Sequence, residues 1–212
     1  MKPERSAFTA AEWRVIQRLR TPESVQRYLR AMPYNREVGG ETLRTFRGAL
    51  RAGTAHCLEA ALTAAVILEQ HGYAPRVLSF ESVDLLDHVI FVFQEGGRWG
   101  SVARSRDFGL HGRRPVFRSV RDLARSYQEP YVDKTGRITG FALASLEGLG
   151  RYDWRFSTKN VWRVERFLID YPHEALPMSD RAYARARARY DAFKTRTPDR
   201  QPDYLPRQDR WW

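Results

Sequence analysis

The stretch Gly53-Thr54-Ala55-His56-Cys57-Leu58-Glu59-Ala60-Ala61-Leu62-Thr63-Ala64-Ala65-Val66-Ile67-Leu68-Glu69-Gln70-His71-Gly72 decides how the rest of this chain is read. Leu58, Ala61, Leu62, Ala65 and Leu68 recur at helical spacing with small alanines between them, which predicts a helix buried on nearly every side. Gly72 supplies a left-handed stop just past its end. With Thr54 as N-cap, Cys57 falls at the third helical position, beside unpaired amides and the positive end of the helix dipole. That setting favours the thiolate, the reactive form, and lowers a cysteine pKa from its free value of about 8.5. A free cysteine is otherwise a small buried hydrophobe. The placement at the helix start is what makes Cys57 a candidate nucleophile.

Working outward, residues 76–81, 87–94 and 98–103 carry the β-branched and aromatic content of strands, and Glu95-Gly96-Gly97 joins the last two as a hairpin. Alternation puts His88, Ile90, Val92 and Gln94 on one face, with Val89, Phe91 and Phe93 on the other. An imidazole opening so apolar a strand needs a partner. A core histidine bonded to a backbone carbonyl would explain His88 alone. Cys57 and His88 together supply a thiolate and an imidazole that pairs with it and then protonates a leaving amine.

This pattern resembles bacterial transglutaminase-like domains, a branch of the papain-like cysteine enzymes: a cysteine opening an alanine-rich helix, then Gly72-Tyr73-Ala74-Pro75-Arg76-Val77, a histidine strand, and a hairpin leading to Arg98-Trp99-Gly100-Ser101-Val102. The resemblance covers residues 42–115. It implies an α+β fold in which the central helix that starts at the cysteine packs on an antiparallel sheet, here with N- and C-terminal helical flanks. It also implies cysteine acyl transfer on a peptide, isopeptide or other amide, with Cys57 as nucleophile and His88 as general base and acid. The family usually carries an aspartate four residues after the tryptophan, where this chain has Ala103. A two-residue turn at Gly96-Gly97 pairs Glu95 with Arg98, sets Ser101 opposite Val92, and carries Ser105 to His88. Ser105 could therefore orient the ring, with Asp107 or Asp87 as charged alternatives. Oxyanion donors would be amides near Cys57, or Tyr34 or Asn35. His56 adjoins Cys57 but should point elsewhere, and His71, His111 and His173 fall in caps or loops.

The flanks read as helical. Thr9 and Glu12 form a capping box, Thr21-Pro22-Glu23 opens a helix that Pro33 stops, and 35–40 is a loop before a short helix over 42–50. Residues 113–115 are taken as loop, and Ser119 caps a helix. A strand over 137–141, a helix over 157–170 and a final helix from Ser179 follow. That last segment alternates alanine and arginine, yet both are good helix formers and poor strand formers. Residues 1–196 are thus expected to form one domain with its core about 42–146, and 197–212 an extended Pro- and Trp-containing arm that its tryptophans can pin.

The chain has 212 residues, 42% hydrophobic and 29% charged, the composition of a globular protein and not of a disordered one. No apolar run approaches the roughly 18 residues of a membrane span, and no apolar signal segment follows Met1, so a cytoplasmic protein without a membrane partner is expected. A single cysteine excludes an internal disulfide framework, and there is no phosphate loop, dinucleotide fingerprint or metal-ligand spacing, so no cofactor is implied. The formal charge of +11 favours anionic partners, nucleic acid among them. Arginines scattered along the whole chain are more simply a solvated surface. Two other function classes therefore stand beside the enzyme: a binding module of the same fold with reduced catalysis, suggested by Ala103, and a nucleic-acid-associated protein using the C-terminal helix.

Overall fold

The Gly96-Gly97 turn sets the register of the sheet. Both glycines have positive φ, +54° and +71°, and the ladder that leaves them pairs Glu95 with Arg98, Val92 with Ser101 and Phe91 with Val102. These strands, β2 (His88–Glu95) and β3 (Arg98–Val102), lie inside a sheet with β1 (Arg76–Ser82), β4 (Arg113–Phe117), β5 (Ile138–Ser145) and the two-residue β6 (Glu174–Ala175). All pairings are antiparallel, in the order β4-β3-β2-β1-β5-β6. The computed structural model describes residues 2–85, 88–205 and 207–212. Among them are seven α-helices: α1 (Ala10–Arg18), α2 (Pro22–Ala31), α3 (Phe46–Ala52), α4 (Cys57–Glu69), α5 (Val120–Tyr131), α6 (Trp162–Ile169) and α7 (Asp180–Arg196).

The two faces of the sheet build two cores. Val77, Val89, Phe91, Phe93 and Val102 pack with α4, whose alanines Ala60, Ala61, Ala64 and Ala65 are wholly buried, and with side chains of α1, α2 and α3. Leu78, Phe80, Ile90, Val92 and Ala103 face the other way, onto Leu123, Ala124 and Tyr127 of α5. Each fully buried Leu or Phe contributes about 2 kcal/mol by leaving water. The architecture is α+β, a helix-covered antiparallel sheet. No helix among the described residues is long and apolar enough to cross a membrane.

Local signals explain most of the elements. Thr9 accepts from the Glu12 amide while Glu12 reaches back to Thr9, and the same carboxylate binds Arg47 at 2.6 Å, fixing α1 onto α3. Residues 113–117 differ from the expected loop: Pro115 breaks the local pattern, but β4 is the edge strand, where proline costs no ladder bond. Strand β5 runs four residues beyond Phe141, because Ala142, Ala144 and Ser145 find partners across β1. The alanine-arginine stretch is helical, as propensity requires. Past it, Trp211 bridges Arg113 and the Trp212 indole donates to the Ser101 carbonyl at 2.9 Å, so both tryptophans lie against the sheet edge.

Candidate active site

Cys57 stands at the first position of α4, not the third. The reason is Ala55, which the chain ties to Pro33 and Asn35 through backbone bonds of 3.3 and 3.2 Å, keeping residues 54–56 extended past Thr54. His56 is the N-cap: its Nδ1 accepts from the Leu58 amide at 3.3 Å, and Glu59 returns to accept from the His56 amide at 3.1 Å, a reciprocal capping box. Glu59 is wholly buried and also accepts from Asn35 Nδ2 (3.1 Å), Thr42 Oγ1 (3.0 Å) and the Arg44 amide (2.9 Å). This one carboxylate binds the loop before α3 to the start of the cysteine helix.

His88, at the first residue of β2, is 3% exposed. Its ring stacks on Phe80 and leans on Tyr127, and its Nε2–H donates to the Leu110 carbonyl at 3.1 Å. The Nδ1 lone pair is thereby left as the acceptor of the neutral ring. At this end of the sheet the N-terminus of α4 meets β2, so that Cys57, His56 and His88 line the same cleft.

Burial alone would raise the Cys57 thiol, but hydrogen bonds and charge from His56 and His88 outweigh it and bring the thiol down to about 5. Burial likewise pulls on His56, and the sulfur and Glu59 overcome it, lifting the imidazole to about 9. A neutral His56 accepts the Leu58 amide on Nδ1, so taking a second proton releases that amide. The cap and the ion pair are therefore alternative states of this ring, whereas His88 keeps Nδ1 free to receive the thiol proton. His56 Nε2 also meets the Thr42 carbonyl at 2.9 Å. The expectation that His56 points elsewhere is thus corrected: as cap, its side chain folds back beside its neighbour's sulfur.

The remaining candidates fall nearby without touching the imidazole. The β2–β3 ladder stops at Val102, since the Gln26 side chain from α2 takes both the Ala103 amide (2.8 Å) and its carbonyl (2.9 Å). Ser105 therefore leaves the sheet before reaching His88; its hydroxyl accepts from the Asp107 amide at 3.1 Å. The Asp107 carboxylate pairs with Arg106 at 3.1 Å. Asp87 lies outside the described residues. The Leu110 carbonyl holds the ring nitrogen for which Ser105, Asp107 or Asp87 was expected. No sequence signal marks a main-chain group, whereas the His-x-x-Glu spacing of residues 56–59 could have revealed the His56 cap. His111, with its ring on the Ser105 carbonyl at 3.1 Å, is driven by burial down to about 4 and stays neutral.

Cys57, His56, His88, Ser105 and Asp107 all line one cleft of about 800 Å³. Tyr34 lines it too; burial and the nearby Cys57 hold its phenol protonated, a donor able to face an oxyanion. Asn35 cannot serve, because its amide is committed to Thr42 and Glu59. The acidic lining, which includes Glu41, Asp107 and Glu165, exceeds the basic Arg106 and Lys194, opposite in sign to the whole chain. Among the described residues no group of three or more His, Cys, Asp or Glu could hold a metal ion. No protein-family model matches this chain, and no curated protein matches its sequence.

Proposed function

We propose that the chain is a cysteine-dependent acyl-transfer enzyme of transglutaminase-like, papain-like fold, acting on a peptide, isopeptide or other amide bond. The observation that carries this reading is Cys57 at the N-terminus of α4, facing one open cleft together with the buried His88, whose imidazole helps draw the thiol down. In the reaction the Cys57 thiolate attacks the amide carbonyl carbon, forming the C–S bond as the carbonyl oxygen takes up negative charge. The Cys57 amide and the Tyr34 hydroxyl are the donors at hand for that oxygen. Collapse expels the amine, to which the His88 imidazolium gives its proton, leaving a thioester. Water or an amine then attacks with its proton passing to His88, and the thiolate returns.

Leu110 supports His88 with a neutral carbonyl where relatives of this type would use a carboxylate. That fixes the tautomer but stabilises imidazolium less, so a slow enzyme is the expected form. The same observation favours a second reading, a domain of this fold that binds amide substrates without turning them over. Incubation with a panel of aminoacyl and peptidyl amides decides between them. A covalent thioester on Cys57, seen by intact-protein mass spectrometry and absent from Cys57→Ser, supports the enzyme. Binding of the same amides with no adduct and no turnover supports the module.

A further inference from the structure

Arg113 is wholly buried, yet among the described residues no carboxylate pairs with it. Burial lowers its pKa to about 10, so it stays charged at neutral pH. Its Nη1 donates to the His111 carbonyl at 2.7 Å and its Nη2 to the Gly109 carbonyl at 2.6 Å. The guanidinium is sandwiched between the Tyr127 ring at 4.2 Å and the Trp211 ring at 4.4 Å. The carbonyls of 109 and 111 thus turn to the arginine, and the carbonyl between them, that of Leu110, turns to His88.

The C-terminal arm holds this peptide segment from outside. Ser101 receives the Arg113 amide on its hydroxyl at 2.9 Å and the Trp212 indole on its carbonyl at 2.9 Å, so arginine and arm share one anchor. Leu205 packs so closely on Gly109 that a Cβ there would stand 2.6 Å from the leucine Cδ1. Arm residues Gln201, Tyr204 and Leu205 also line the cleft.

We propose that Arg113 and Trp211 are positioning residues for His88, holding the Leu110 carbonyl against the imidazole, so that the arm is a working part of the candidate site. The proposal rests on the Cys57–His88 reading. Without the indole, water competes for the guanidinium, the fork loosens from the two carbonyls, and the third drifts from the ring. His88 then holds the thiolate less well. The other groups that face this pair are His56 and Tyr34 at the sulfur, neither of them bonded to Arg113 or Trp211, and His111, whose carbonyl Arg113 holds and whose buried ring stays neutral.

The test is the pH profile of iodoacetamide labelling at Cys57 in the full chain, with urea unfolding of each variant alongside. Trp211→Ala and Arg113→Lys are expected to move the midpoint up by about one unit and slow labelling at pH 5 about fivefold or more. Trp211→Phe, which keeps a ring over the guanidinium, should stay within about twofold of the parent. Should Trp211→Ala fail to fold, Trp211→Leu replaces it, filling most of the volume without a π face; loss in leucine and rescue in phenylalanine support the proposal. A Trp211→Ala or Trp211→Leu midpoint equal to the parent's overturns it, as does equal loss in Trp211→Phe. The two readings separate cleanly. If the parent midpoint is low and His88-dependent while the Trp211 variants match it, the positioning role alone fails; if the parent thiol is ordinary and indifferent to His88→Ala, both fail.

Discussion

The Nε2–H of His88 and the carbonyl oxygen of Leu110 are 3.1 Å apart, and no side chain stands between them. Four residues after Trp99, the methyl of Ala103 is buried in the α5-side core. Among the described residues it is a main-chain dipole that holds the His88 ring nitrogen.

That arrangement makes the thiol testable directly. With a Cys57 pKa of about 5, alkylation should remain fast from pH 8 to pH 6 and fall only as pH drops through 5, where the thiolate is lost. His88→Ala should move the midpoint towards the free value of about 8.5 and slow labelling at pH 6 at least tenfold. A flat difference between the two proteins across this range would end the Cys-His proposal.

His56 has two roles that one substitution separates. Asparagine is a good N-cap, so His56→Asn keeps the start of α4 while removing the second imidazole from the sulfur. The expected result is a higher labelling midpoint with a Tm within about 3 °C of the parent, the shift that about 1 kcal/mol makes in a chain of this size. An unchanged midpoint would reduce His56 to a cap.

Glu59 should dominate the local stability. Removing the carboxylate strands the donors of His56, Asn35, Thr42 and Arg44 around a buried position. Glu59→Ala is expected to cost about 3–5 kcal/mol in urea unfolding, and Glu59→Gln, which keeps the volume and one of the two acceptor oxygens, less. Equal losses would show that the retained oxygen and volume do not set the cost.

Glu12 gives an acid limb. Burial would raise its carboxyl, but the Arg47 guanidinium and the Thr9 amide hold it below 4.5. Its contribution is therefore complete above that value and is lost as pH falls below it. Glu12→Gln should cost about 2 kcal/mol at pH 7 and progressively less towards pH 3, read from urea midpoints at each pH.

The acidic lining of the cleft predicts preference by charge. Lysine-rich acyl acceptors or peptides should bind more tightly than glutamate-rich ones of equal length, and the difference should shrink with salt. Fluorescence anisotropy at two ionic strengths measures it; tighter binding of the acidic set would contradict the sign of the cleft.

The hairpin register was legible because two adjacent glycines at a strand reversal leave few alternatives, and Val92 opposite Ser101 followed from them. Extending that register to Ser105 went wrong where a distant side chain intervened: Gln26 captures the Ala103 backbone, and no local pattern announces a contact 77 residues away. The cap moved from Thr54 to His56 for the same kind of reason, a backbone pairing with Pro33 and Asn35 that extends the chain past the threonine. Residue types and periodicity single out Cys57 and His88, which the fold brings to one cleft. What supports those groups comes from main-chain atoms and long-range packing, which a linear pattern does not encode.

The burial of Glu59 has a consequence for how this region opens. The amide hydrogens of His56 and Arg44 end on a carboxylate with no solvent exposure. They can exchange with deuterated water only when the loop and the helix start separate together, and that separation exposes an unpaired charge. The Cys57 side of the cleft should therefore show protection close to that of the whole fold.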